Sequence, residues 1–166
     1  MPFSVIDYCD VPERARRLGM NEPMGLALLP RNFLDANGAH DLLHESSVQT
    51  IRSLFRQNRI AEARIEKPGQ KIPTIQENDA ALILPALFVT NLILTGNPHF
   101  LSIALNVISS YATDFFKGMA GAKKVKFDVI VQNANGKGSK KIHYEGDAEG
   151  LKEITEIAGK VFRDEK

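Results

Sequence analysis

Apolar residues are spread along this chain in two different ways. Between residues 80 and 116 they form two near-continuous runs, Ala80–Leu94 and Phe100–Phe116, joined by Thr95-Gly96-Asn97-Pro98-His99. Elsewhere they recur at regular intervals among polar residues. In the first run, Leu84, Leu87, Phe88 and Asn91 do not divide into a wet and a dry face. Hydrophobicity on every side marks a helix buried in a core or facing lipid, so the runs are read as an apolar helical pair. Downstream, Val125, Phe127, Val129 and Val131 alternate with Lys124, Lys126, Asp128 and Ile130, which predicts a half-buried strand. A turn region follows at Asn133–Ser139, and Ile142 and Tyr144 alternate with Lys141 and His143 as the returning strand of a hairpin. Leu151, Ile154, Ile157, Ala158 and Val161 give a closing amphipathic helix one inward stripe, with Asp147 placed to cap it near Ala148. The C-terminal half therefore reads α-α-β-β-α.

The first 66 residues are more broken. Ser4-Val5-Ile6 reads as a strand. A short helix starts at Pro12, whose fixed backbone angle suits a first turn, and ends at Gly19. Gly25–Leu29 is a short apolar run stopped by Pro30, read as a strand or buried extended segment. Asn37-Gly38 signals a turn. Val48, Ile51, Leu54 and Phe55 predict a helix capped by Ser46 or Ser47, with Arg52, Arg56 and Arg59 on its solvated side. Lys67-Pro68-Gly69-Gln70-Lys71-Ile72-Pro73 cannot continue a helix. The organisation expected is a mixed N-terminal region (1–66), a linker (67–79) and the α-α-β-β-α region (80–166), in one compact α+β unit or two.

Composition narrows the function classes. At 166 residues, with 43% hydrophobic and 25% charged residues, the chain has the balance of a globular domain that folds without staples. Twenty-one Lys and Arg against twenty Asp and Glu leave a net charge of +1, which argues against duplex binding. One cysteine, Cys9, rules out an internal disulfide or Cys-cluster metal site and fits a reducing compartment. The start Met1-Pro2-Phe3-Ser4 lacks the basic and long apolar regions of a secretory signal. A cytoplasmic location, free or at the inner face of a membrane, is expected.

Candidate chemistry is sparse. His40 and His44 would lie one turn apart on one face if residues 40–45 were helical, as zinc ligands can, with Asp41 in the position of a catalytic carboxylate. The helix available is only about two turns long, Asp41 is a carbon short, and no third ligand follows. Cys9 with His44, His99 or His143 is formally a nucleophile and base, but any such composition permits that pairing. Gly118–Lys124 lacks the spacing of a phosphate loop and follows a helix where the true motif follows a strand; it is read as a hinge. Glu145, Asp147 and Glu149 suit the mouth of the last helix. Lys117, Lys123, Lys124, Lys126, Lys140 and Lys141 are expected to form a basic rim for anionic lipid or an acidic partner.

From the helical pair onward the order resembles the effector-associated constant component family of bacterial conflict systems. The matching features are Ala81–Phe116, the strand Lys124–Val131, the Gly136 turn, Lys141–Tyr144 and Glu149-Gly150-Leu151. That resemblance covers the C-terminal half, leaves residues 1–79 outside it, and implies a non-catalytic coupling module. The function expected is accordingly an interaction or adaptor module of a bacterial or phage system. It has a protein partner, self-association, no cofactor and no nucleic acid, and its contact surface is around Leu87, Phe88, Phe100 and Phe115. One alternative inserts Ala80–Phe116 into a membrane as a hairpin, although each run of roughly sixteen residues falls short of the ~20 a spanning helix needs. A second is a metal-dependent hydrolase built on His40 and His44.

Overall fold

The computed structural model describes residues 2–75, 81–118 and 124–164. The strands are β1 (Phe3–Tyr8), β2 (Leu26–Leu29), β3 (Leu82–Ile83), β4 (Ala86–Val89), β5 (Val125–Gln132) and β6 (Ser139–Gly146). The helices are α1 (Val11–Arg17), α2 (Val48–Gln57), α3 (Asn91–Gly96), α4 (Pro98–Phe115) and α5 (Ile154–Asp164), with 3-10 turns at Ala39–Asp41 and Glu149–Glu153. The strands form one mixed sheet in the order β1-β6-β5-β4-β2, with β3 also paired to β5. Only the β5 pairings with β3 and β4 are parallel. The fold class is α+β.

The main correction concerns the first apolar run. Residues 82–83 and 86–89 are strand, and helix begins only at Asn91. Proline at position 85 has no N–H to give a helix and its ring clashes with the preceding turn. In the sheet it is tolerated because it sits in a bulge. Leu82 and Ile83 oppose Val125 and Lys126, whereas Leu87 opposes Val129, so residues 84–86 face only residues 127 and 128. One extra residue is thereby absorbed where no ladder bond is needed. The all-round hydrophobicity has a different cause from the one expected. β4 lies inside the sheet, with Leu87 and Val89 in one core and Phe88 in the other, and strands buried on both faces read as continuous apolar runs.

The second run is helical as expected. Leu101, Ala104, Leu105, Ile108 and Ala112 form a buried stripe on α4. With α2 and α5 it covers the sheet face carrying Leu26, Leu28, Val125, Phe127, Val129, Val131, Ile142 and Tyr144. The opposite face is covered over β2, β4 and part of β5 by α1 and the segment around Phe33 and Leu42, which bury Ala27, Leu29, Phe88 and Ile130. Among the described residues no helix is long and apolar enough to cross a membrane.

Several local expectations hold. Asp10 caps α1 by accepting from the Glu13 N–H at 3.2 Å, and Gly19 ends that segment with φ 79°. The hairpin β5–β6 and the register of its inward residues follow the predicted alternation. Asp147 Oδ1 accepts from the Gly150 N–H at 3.0 Å, although the turn it caps is 3-10 and α5 begins at Ile154. Ser47 stands at the N-cap of α2 without capping it, its hydroxyl donating instead to the Ile83 carbonyl at 3.3 Å. The expected linker is tied down where it is described. Ile72 is buried, the His44 N–H donates to Pro73 O and the Ile75 N–H to His44 O, each at 2.9 Å. The hinge expected at Gly118–Lys124 falls largely on residues outside the described ones.

Candidate functional site

The expected contact surface is redistributed by the fold. Leu87 and Phe88 are fully buried within the sheet and present no surface, a consequence of the strand assignment above. Phe100 is half-buried on α4, and Phe115 is 38% exposed near its end, where its ring meets Phe116 edge-on. The four residues do not form one patch.

The basic rim is also largely spoken for. Lys124 and Lys126 reach the Glu145 carboxylate at 2.9 and 3.8 Å, Lys140 pairs with Asp7, and Lys141 lies over the Tyr8 ring, 5.6 Å from its centre. Lys117 is exposed after α4, and Lys123 lies outside the described residues.

The zinc reading of His40 and His44 fails on geometry. His40 sits in the 3-10 turn with its side chain 82% exposed, whereas His44 is in an extended bridge to Thr74 and fully buried. The two share no helix face. Among the described residues no cluster of His, Cys, Asp and Glu is arranged to hold a metal. Cys9 is half-buried, and burial pushes its thiol up, away from the thiolate that a nucleophile needs.

His44 instead belongs to a buried charged cluster that the sequence did not reveal. Arg52, expected on the solvated side of α2, is 2% exposed and donates to Glu62 at 3.0 Å and Glu66 at 3.0 Å. Arg64 adds a 2.8 Å bond to Glu66, and His44 Nε2 stands 3.6 Å from the same carboxylate, too long for a hydrogen bond. Burial alone would raise the Glu66 carboxyl, but the contacts from His44, Arg52 and Arg64 outweigh it and hold it well below the usual carboxylate range. For Glu62 burial wins, and its carboxyl is raised. Buried charges that satisfy one another in this way join segments: here the cluster ties α2 to the stretch leading into residues 67–75.

On the open half of the second sheet face, Ser4, His143 and Asp128 stand in one cross-strand row on β1, β6 and β5. His143 Nδ1 is 2.6 Å from Asp128 Oδ1, and its Nε2 is turned along β6 to 3.8 Å from Glu145. The row resembles a nucleophile, base and orienting acid in residue type alone. Ser4 makes no hydrogen bond to His143 among the described residues, so the row lacks the nucleophile–base contact on which such a triad works.

The remaining distinctive feature is the edge at β1. Among the described residues no strand pairs with its outer side. The Glu145 N–H donates to Pro2 O at 3.0 Å, and Phe3 opposes Tyr144. Hydrogen-bonded and non-hydrogen-bonded pairs alternate in an antiparallel ladder. Pro2, Ser4, Ile6 and Tyr8 therefore turn their backbone groups toward β6, and Phe3, Val5 and Asp7 turn theirs outward. Val5 is 46% and Ile6 51% exposed, unusual for apolar residues flanking an open edge. Beside this edge a groove of about 680 Å³ runs between β1 and α5, lined by Val5, Ile6, Ile157 and Val161 together with Asp7, Lys140 and Lys160. A second groove of about 460 Å³, between α2 and α4, is lined by Leu54, Ile103, Val107 and Tyr111 among others and has no sheet edge beside it. The signal for the β1 site was present in the sequence: a strand near the start of the chain whose apolar residues, Phe3, Val5 and Ile6, do not alternate cleanly.

No protein-family model matches the chain, and neither the curated proteins nor the solved structures give a match.

Proposed function

We propose that this chain is a non-catalytic interaction module that meets its protein partner by strand addition at the outer edge of β1. The observation that carries this reading is an edge with three outward-facing backbone positions, Phe3, Val5 and Asp7, flanked by the half-exposed Val5 and Ile6. Open edges of this kind are templates for another strand, and natural proteins blunt them unless they are used. The resemblance of the C-terminal half to a coupling family of bacterial conflict systems supports an adaptor role in a bacterial or phage setting. The single cysteine supports a cytoplasmic one. The inserting-hairpin alternative has less to rest on, since the apolar stripe of α4 and the residues of β4 are already used in packing.

The test is photo-crosslinking in cells, with a photoreactive residue placed at Ile6 or, for comparison, at Ile103 in the groove between α2 and α4. Discrete protein adducts are expected from position 6 and only background from position 103. Equal background from both positions would overturn the reading.

A further inference from the structure

Independently of that reading, the geometry points to a site of spontaneous covalent modification at Asn37-Gly38, where the asparagine amide is lost as ammonia and aspartate or isoaspartate takes its place. The reaction is intrinsic to asparagine followed by glycine. The glycine nitrogen bonds to the asparagine Cγ and gives its proton to solvent. The side-chain nitrogen leaves as ammonia, and a succinimide ring remains. Water then opens the ring at either carbonyl. The net change is one water consumed and one ammonia released, with no oxidation or reduction. Glycine shields the attacking nitrogen least, having no Cβ. The chain has two such pairs, Asn37-Gly38 and Asn135-Gly136, and the fold treats them differently.

At residues 135 and 136 both reacting groups are engaged. The Gly136 N–H donates to Asn133 O at 2.9 Å, and Asn135 Oδ1 accepts from the Lys137 N–H at 2.8 Å. Ring closure there has to break the turn between β5 and β6. At residues 37 and 38 neither group is engaged. Among the described residues the Asn37 side chain makes no hydrogen bond and neither does the Gly38 N–H. The Gly38 carbonyl alone is used, accepting from the Asp41 N–H at 3.0 Å. Asn37 is exposed, and Gly38 has extended backbone.

The surroundings let this tip change without unfolding the protein. Asn32 closes the base of the loop: its Nδ2 donates to Asp41 O at 2.7 Å, and its Oδ1 accepts from the Leu43 N–H at 2.9 Å. Arg14 holds the leading limb, donating to the carbonyls of Phe33, Leu34 and Ala36 at 3.0, 3.0 and 2.6 Å. Phe33, Ala36 and Leu42 are buried in the second core on either side of the exposed pair. Exposed loop tips are where chains best tolerate change. The product carries a new carboxylate between Asp35 and Asp41 in sequence. Twenty-one acidic residues then face twenty-one Lys and Arg, and the net charge falls from +1 to zero.

Incubation of the purified full chain at neutral pH, followed by peptide mass spectrometry and isoelectric focusing, tests this. Two hydrogen bonds must open at position 135 and none at position 37, so position 37 is expected to convert roughly tenfold faster or more. Both aspartate and isoaspartate are expected there, with an acidic shift of the intact chain and an unchanged circular dichroism spectrum. In urea, where those hydrogen bonds are gone, the two rates should converge. Gly38→Ala should slow conversion at position 37. Its Cβ would lie 3.1 Å from the ring of His40, whose side chain is 82% exposed and able to turn aside. Equal conversion at the two positions of the folded chain would overturn the inference, as would faster conversion at 135. So would a folded chain inert at position 37 when the chain in urea converts there. A preference for position 37 that persists undiminished in urea would also sink it, because neighbouring sequence and not the fold would be its cause. A folded Gly38→Ala that converts as fast as the wild type would do the same, and the comparison of the two positions in the wild type stands if that variant does not fold.

Discussion

Tyr144 shows how one side chain fixes its surroundings. Its ring is 2% exposed, stacks obliquely on Phe3 with centres 4.8 Å apart, and sends its hydroxyl to the Asp147 carbonyl. Burial pushes its phenol up to about 12, with the Asp147 carboxylate adding to the shift. That ring fills the space where side chains at Gly146 and Gly150 would begin; a carbon at Gly146 would lie 2.7 Å from the hydroxyl, and one at Gly150 would overlap it. Gly150→Ala should therefore cost about 1–3 kcal/mol, the range for overpacking. Tyr144→Phe in the same chain should recover part of that loss, because it removes the clashing oxygen. Thermal unfolding of the single and double variants checks the coupling, and a simple sum of the two losses would refute it.

The Glu66 cluster gives a second prediction at this scale, with a definite sign. The folded pKa of Glu66 lies below its ordinary value of 4.5, so its contribution is complete above that pH and is lost on acidification below it. Glu62 behaves oppositely: its raised carboxyl carries a penalty at neutral pH that is relieved as pH falls through the raised value, before Glu66 begins to lose. Glu66→Gln should lower stability at neutral pH by about 2–3 kcal/mol, since Arg52 loses a buried charged partner. It should also flatten the acid limb below pH 4.5. Urea unfolding at a series of pH values measures both effects, and an unchanged acid limb would rule the mechanism out.

Among the elements, those whose surroundings are one-sided were readable. The hairpin β5–β6 has one face on the α-helical core and a largely polar opposite face, so alternation announced it; Ile130 departs from the pattern because it serves the second core. α5 and α4 bury stripes at helical spacing for the same reason. β3 and β4 were misread because a strand covered on both faces loses its period of two, and the long neighbouring run drew it into a helix. Pro85 was the available corrective. It breaks the helix locally, whereas no propensity argument foretells that the bulge at residues 84–86 will accommodate it. The error over Arg52 has a different origin. Its helix period does place it near the polar side of α2, but the segment carrying Glu62 and Glu66 folds back over that side and buries it. A local pattern cannot report a partner that arrives through tertiary structure.

For the molecule as a whole, the sequence suggested a seam at residues 67–79, and the sheet runs across it. β1 and β2 precede that stretch and hydrogen-bond to β6 and β4, which follow it. α2, also from before the stretch, supplies Val48, Ile51 and Phe55 to the core beneath α4. Composition marked the prolines and glycine of 67–73 without showing that Ile72 would be buried there, nor that His44 would grip residues 73–75 through its backbone. A chain beginning at residue 67 would lose both outer strands and α2. Two sheet edges and much of an apolar helix face would then meet water, a loss that the remnant of β3, β4, β5 and β6 cannot offset. The full chain is thus expected to unfold in one cooperative transition by circular dichroism and fluorescence of an introduced tryptophan alike, and the 67–166 fragment to give a collapsed, undispersed NMR spectrum. A dispersed spectrum from the fragment would instead make the seam a true domain boundary. The first 66 residues would then be an appendage that completes the sheet, and the β1 edge would belong to a detachable arm.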